Sequence, residues 1–189
     1  MRGALLVEPD WDKRYKDGFH AETTGPHELL KRFWPVIPKG RVIDVAMGNG
    51  KDAAFLAGKG FRAYGIEKST EAIKIARGIL QNKASIICGD ANFLPFKSGS
   101  AEGVLVFHFL LRSIMGDIAK ILKKNGVVIY ETFLKRQNEI DRWRNPEYLL
   151  DDGELISYFR GFELLFYEET VSVDGGRKRA MAKLVGRKR

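Results

Sequence analysis

The sequence predicts an α/β fold: a mostly parallel seven-stranded sheet with helices on both faces, closed by a C-terminal antiparallel hairpin. Three observations predict it. Apolar strand-like runs alternate with helix-like runs from residue 41 to residue 133, the pattern of β-α-β crossovers. A glycine turn, Gly48-Asn49-Gly50, joins the first strand to the first of those helices. Near the end, Asp174-Gly175-Gly176 separates two β-type runs, a hairpin signal where another crossover would otherwise stand.

The elements follow in order. "DWDKRYKD" and "PHELLKRFW" read as helices ahead of the sheet, with His27, Leu30 and Trp34 on one face of the second. Strands are expected at 41–46, 61–66, 84–88, 103–109 and 126–133, and helices at 51–58, 69–80 and 111–123. Ser69 is placed as the N-cap of the 69–80 helix. In "KKNGVVIYETF" a helix is expected to end in lysines, with Asn125-Gly126 as C-cap and turn before a buried strand. "GFELLFYEETVSV" and "RKRAMAKLV" supply the hairpin.

A chain of 189 residues with 44% apolar residues can bury a core without staples. Cys88 is the lone cysteine, so no intrachain disulfide forms; within an apolar run it reads as a small buried residue rather than a reactive thiol. The apolar runs at Val104–Leu111 and Val127–Tyr130 are far shorter than the ~20 residues that span a bilayer, and "GALLV" is too short for a secretory core. An intracellular, cytoplasmic protein without membrane partners is expected. The net charge of +8 is concentrated in "GGRKRAMAKLVGRKR", read either as a solubilising tail or as an attraction for nucleic acid. His20, His27 and His108 share no ligand spacing with Cys88, so no metal site is expected.

The chemistry concentrates in "RVIDVAMGNGKDAAFLAGKG". Gly48-x-Gly50-x-x-Ala53 fits the relaxed dinucleotide fingerprint. Asp44 argues against a pyrophosphate, because a carboxylate near the loop repels phosphate and favours a cationic ligand. Asp44-Val45-Ala46-Met47-Gly48-Asn49-Gly50 resembles motif I of the class I S-adenosylmethionine (SAM)-dependent methyltransferases, with Ala46 for the first glycine. Alanine is small enough for close approach but resists φ > 0. "AYGIEKS" and "IICGDANFLPF" place further acids, Glu67 and Asp90, after the second and third strands.

That resemblance, over roughly residues 40 to 187, implies a Rossmann-like class I methyltransferase fold and SAM as cofactor, S-adenosylhomocysteine being the product. It implies that Asp44, Ala46, Gly48, Asn49 and Gly50 hold the methionine end, and Glu67 with Lys68 the ribose. Asp90 and Ala91 would read the adenine edge, with Phe107 beside the cofactor. "VFHFLLRSIMGDIAKILKKNGVVIYETF" and "RNPEYLLDDGELISYFRGFELLFYEE" further resemble the small tellurite-resistance-type methyltransferases. "WDKRY" resembles the element that closes over SAM there, making Trp11 and Tyr15 part of a lid or of helix packing. The whole chain is then one methyltransferase domain, with residues 1–38 a helical lid and 39–189 the SAM-binding core.

The acceptor is expected at the ends of the fourth and fifth strands, near His108, Arg112, Glu131 and Phe133. His108 is either a base or a hydrogen-bonded strand residue. Arg112 either grips an anion or caps a helix or pairs with Glu131. Arg142, Arg144 and Asn145 fall in a loop over the pocket or in a structural Asn-Pro turn. The expected reaction is methyl transfer from SAM to a small, anionic or soft-nucleophile acceptor. The alternatives are an RNA or protein methyltransferase using the basic C-terminus and a SAM-binding protein without catalysis. Against the former, "FHFL" stands after the fourth strand in place of an "NPPY"-type tetrapeptide.

Overall fold

The structure, a computed structural model, describes residues 10–18, 25–141, 144–174 and 176–189. His20 and Arg142, singled out above, lie outside the described residues. Two short helices, α1 (Trp11–Lys16) and α2 (Glu28–Phe33), precede the sheet. Then come β1 (Arg41–Val45), α3 (Lys51–Gly58), β2 (Arg62–Glu67), α4 (Thr70–Leu80), β3 (Ser85–Cys88), β4 (Ala101–Phe107), α5 (Met115–Ile121) and β5 (Leu122–Phe133). The chain ends in α6 (Glu154–Tyr158), β6 (Phe162–Asp174) and β7 (Arg177–Lys188).

The seven strands lie in the order β3-β2-β1-β4-β5-β7-β6. The first five run parallel, and β7 inserts antiparallel between β5 and β6. Strand order reverses between β1 and β4, so the C-terminal ends of those two strands bound the crevice in which open α/β sheets bind ligands.

The apolar runs are continuous because the central strands are buried on both faces. Along β4, Val104 and Val106 enter one core with Ile43, Val45, Val128 and Tyr130, against α5 and α6. Leu105 and Phe107 enter the other with Val42, Val127 and Ile129, against Leu30 of α2 and Leu56 of α3. Ala53, Ile73, Ala76 and Leu80 close the seam between α3 and α4. Ser69 caps α4 as expected, its Oγ accepting from the Ala72 N–H at 3.1 Å.

Three local expectations change. The helix before β5 ends at Ile121, ahead of the lysines, and Leu122 already pairs with Ala101. Lys123–Gly126 then bulge out before pairing resumes at Val127, with Asn125 at φ 65°. Cys88 is exposed, because β3 is the edge strand and Cys88 ends it. The basic C-terminus is strand rather than tail. Lys188 Nζ donates to the Ala119 and Leu122 carbonyls, and Arg187 and Lys183 pair with Glu163 and Glu168 on β6. No helix among the described residues is long and apolar enough to cross a membrane.

Candidate functional site

Three carboxylates converge where β1 and β2 end. Asp44 and Asp52 are each 3% exposed and Glu67 is 8% exposed. Asp44 is the penultimate residue of β1; Asp52 lies in the first turn of α3; Glu67 ends β2. Burial, then the neighbouring charge of Asp52, pushes the Asp44 carboxyl well above the usual carboxylate range, with Glu67 adding to the effect. Asp44 Oδ2 is buried with no hydrogen-bond partner among the described residues. Clustered buried acids with an unsatisfied oxygen are costly unless a cation completes them.

Glu67 is held differently. Its Oε2 accepts from the Gly48 N–H at 2.9 Å and its Oε1 from the Ser69 N–H at 2.8 Å. Each ionised oxygen keeps a second acceptor site, so the group can receive a pair of hydroxyls without moving. The loop that brings Gly48 there takes left-handed backbone at Ala46 (φ 53°), Gly48 (φ 57°) and Gly50 (φ 76°). Ala46 thus adopts the conformation alanine was expected to resist. Such strain at the ligand loop costs on the order of 1–3 kcal/mol and is the kind that functional sites retain.

The N-terminal helix covers this loop. Asp12 receives the Ser69 hydroxyl at 2.6 Å, the Thr70 hydroxyl at 3.1 Å and the Glu71 N–H at 3.2 Å, docking α1 on the first turn of α4. Tyr15 is buried, its hydroxyl 2.5 Å from where a Cβ on Gly48 would stand. Burial and the charges of Glu67 and Asp44 push the Tyr15 hydroxyl upward, so it stays a donor. Trp11 carries the Arg14 guanidinium 5.0 Å from its ring centroid. Asp90 and Ala91 follow β3; the Asn92 N–H and side-chain amide both donate to Asp90 Oδ1 at 2.8 Å and hold its carboxyl below the usual range, with the Lys68 charge contributing. Asn49 Oδ1 accepts from the Lys51 N–H at 3.4 Å.

Beyond β4 the rings form a continuous wall. Phe107, expected beside the cofactor, stacks on His27 with centroids 4.0 Å apart. His27 meets His108 edge-on at 4.9 Å, and His108 stacks on Phe133 at 5.1 Å. The Arg144 guanidinium lies 4.4 Å from the Phe133 centroid. His108 Nε2 sits 3.9 Å from Glu131 Oε1, and His108 is itself held at φ 54°.

Arg112 pairs with Glu154 and not with Glu131. Its Nε and Nη2 hold Glu154 at 2.7 and 2.9 Å, and Nη1 and Nη2 donate to the Glu147 and Leu149 carbonyls at 2.7 and 2.9 Å. The guanidinium staples the 146–154 segment to the end of β4. Asn145 caps the turn that follows by accepting from the Glu147 N–H at 3.0 Å. Sequence reasoning missed the roles of Asp12, His27 and Asp52, whose partners lie 25 or more residues away; no local spacing announces such pairs.

A doubly wound sheet with a closing hairpin, and acids at the C-terminal ends of β1 and β2 and just after β3, defines the SAM-binding class of Rossmann-like domains. The chain belongs to the methyltransferase domain family, whose profile matches residues 19–165. Among curated relatives, thiopurine S-methyltransferase of Pseudomonas putida (strain GB-1) is 37% identical over 70 residues, 34% of this chain and 32% of that protein. The chain thus matches about a third of that relative's length. TehB from Haemophilus influenzae shares the fold with a TM-score of 0.75 at 17% identity, over 94% of this chain and 67% of that one. A SAM-dependent methyltransferase from Methanosarcina mazei does so at 0.68 and 17% identity, over 87% and 98%. The residues fit SAM: buried acids for its ammonium and sulfonium charge, and a backbone-held glutamate for a ribose diol.

Proposed function

We propose that the protein transfers a methyl group from SAM to a small soft nucleophile, a thiol or a chalcogen oxyanion. The observation that carries this reading is the buried acid cluster of Asp44, Asp52 and Glu67 around a left-handed glycine loop. Such a cluster suits a cationic nucleoside and disfavours a dinucleotide pyrophosphate. The name of the thiopurine S-methyltransferase relative supports sulfur as the acceptor atom.

When bound, SAM supplies a methyl already activated on a sulfonium. The residues therefore need to align, neutralise and exclude water, and orientation of this kind is worth on the order of 7–11 kcal/mol. Asp44, with Asp52 behind it, neutralises the cationic end beside Ala46, Gly48, Asn49 and Gly50. Glu67, next to Lys68, takes the ribose hydroxyls. Asp90 and the Ala91 N–H read the adenine edge. Tyr15 and Trp11 on α1 shield the loop from water. Phe107, His108, Glu131 and Phe133 line the acceptor side, and the Arg144 guanidinium against Phe133 favours an anionic acceptor.

Transfer of labelled methyl from SAM to alkanethiols, aryl thiols, 6-mercaptopurine, selenite and bulk RNA tests this reading. Labelled thiol or selenium products are expected. Label in RNA with none in the small acceptors would overturn it.

A further inference from the structure

His27 is joined to Asp52 twice. Its backbone N–H donates to Oδ1 at 2.8 Å, and its ring Nδ1 lies 2.7 Å from Oδ2. A carboxylate on Nδ1 fixes the ring orientation and the Nδ1–H tautomer, which leaves Nε2 as the accepting nitrogen. Stacking on Phe107 and the edge contact with His108 hold the ring plane. The two rings differ in what their Nε2 atoms face, although the His108 side chain is the more exposed, 28% against 14%. His108 Nε2 is buried toward Glu131. His27 Nε2 takes no partner among the described residues and remains open to solvent, on a side chain 14% exposed. An imidazole oriented by a carboxylate, stacked on the ring that ends β4 and unpaired at its second nitrogen among the described residues, has the geometry of a general base.

Resting on the methyl-transfer reading, we propose that His27, oriented by Asp52, is the base that takes the proton from a protic acceptor, and that His108 with Glu131 forms the wall behind it. For a thiol the acceptor S–H bond breaks and its proton passes to His27 Nε2. The sulfur electron pair forms the new S–CH₃ bond while the methyl–sulfonium bond breaks, giving neutral S-adenosylhomocysteine. The imidazolium then returns its proton to solvent. The N-terminal segment is thereby part of the acceptor site, because His27 comes from the turn before α2. Asp52 ties that segment to the first turn after the glycine loop.

Two measurements test this. Diethyl pyrocarbonate acylates accessible neutral imidazole, so peptide mapping of the modified protein should show His27 acylated at its unpaired ring nitrogen; an unreactive His27 overturns the assignment. His27→Asn keeps an amide N–H for Asp52 and removes the nitrogen at Nε2. In the variant, kcat with an alkanethiol should fall by about 10²-fold or more. Its kcat with an aryl thiol already ionised at the assay pH should change little, and SAM affinity should be retained. Loss on both acceptors alike, or on neither, overturns the proposal while the methyl-transfer reading stands. Absence of transfer by the wild-type protein to either thiol overturns the base, and absence of transfer to selenite as well overturns the soft-acceptor reading.

Discussion

Asp44 carries a charge problem that a ligand solves. Its carboxyl is pushed upward by burial and by Asp52, so the protein without ligand holds a proton there across more of the pH range than a free carboxylate would. A cation favours the ionised form, so binding of SAM is expected to release a proton and to tighten as the pH rises through the Asp44 titration. Calorimetry in buffers of differing ionisation enthalpy reads that proton; a binding heat independent of the buffer would contradict its release. Ala46, at φ 53°, offers a second test. Ala46→Gly relieves a left-handed alanine, worth about 1 kcal/mol, and should raise Tm by ~2–4 °C. A drop in Tm would mean that the loop is not strained. Asp44, Glu67 and Asp90 were legible in the sequence because each directly follows or ends an apolar run, so strand order alone brings them to one edge. His27 and Asp52 were not, since only the fold brings the N-cap of α2 to the first turn of α3. The Arg112 partner was hidden for the same reason, Glu154 being 42 residues away.

Helix α1 and the 146–154 segment are each held to the sheet by charged side chains. Asp12 anchors α1 at the N-terminus of α4, where a carboxylate also meets the helix dipole, beside the Lys16–Glu71 ion pair. Asp12→Ala should weaken SAM binding and speed amide exchange in α1 while leaving global unfolding unchanged; unchanged exchange would contradict the anchor. Arg112 anchors the 146–154 segment. Losing its charge-assisted bonds costs on the order of 2 kcal/mol, so Arg112→Ala should lower Tm by ~4–8 °C. SAM affinity should hold, because Arg112 is on the proposed acceptor side and bonds to Glu154 and the 147–149 backbone rather than to the acid cluster. Burial works against the Glu154 carboxyl, but Arg112 outweighs it and holds the group down to about 2. A depressed carboxyl stabilises the fold above its unfolded pKa of ~4.3 and loses that contribution as the pH falls toward 2. Acid unfolding of the wild-type protein should therefore be steeper across that window than that of Arg112→Ala.

At the scale of the molecule, the alternation of strands and helices and the Asp-Gly-Gly turn were enough to read the doubly wound sheet and its reversed last strand. Charge alone suggested a tail at the C-terminus, while the β-type run RKRAMAKLV gave the hairpin strand that forms. In β7 the apolar residues Ala180, Met181, Ala182, Leu184 and Val185 are buried, while lysines and arginines bind carbonyls and neighbouring acids. The same sheet brings acids from β1, β2 and the turn after β3 to one edge and aromatic rings from the ends of β4 and β5 to the adjoining edge. A cationic donor and a soft acceptor would meet between them. The measurement that tests this account most directly is calorimetric titration of the purified protein with SAM, S-adenosylhomocysteine and NADP. Binding of both adenosyl ligands, lost in Asp44→Asn and in Glu67→Gln, is the predicted result; binding of NADP alone would contradict it.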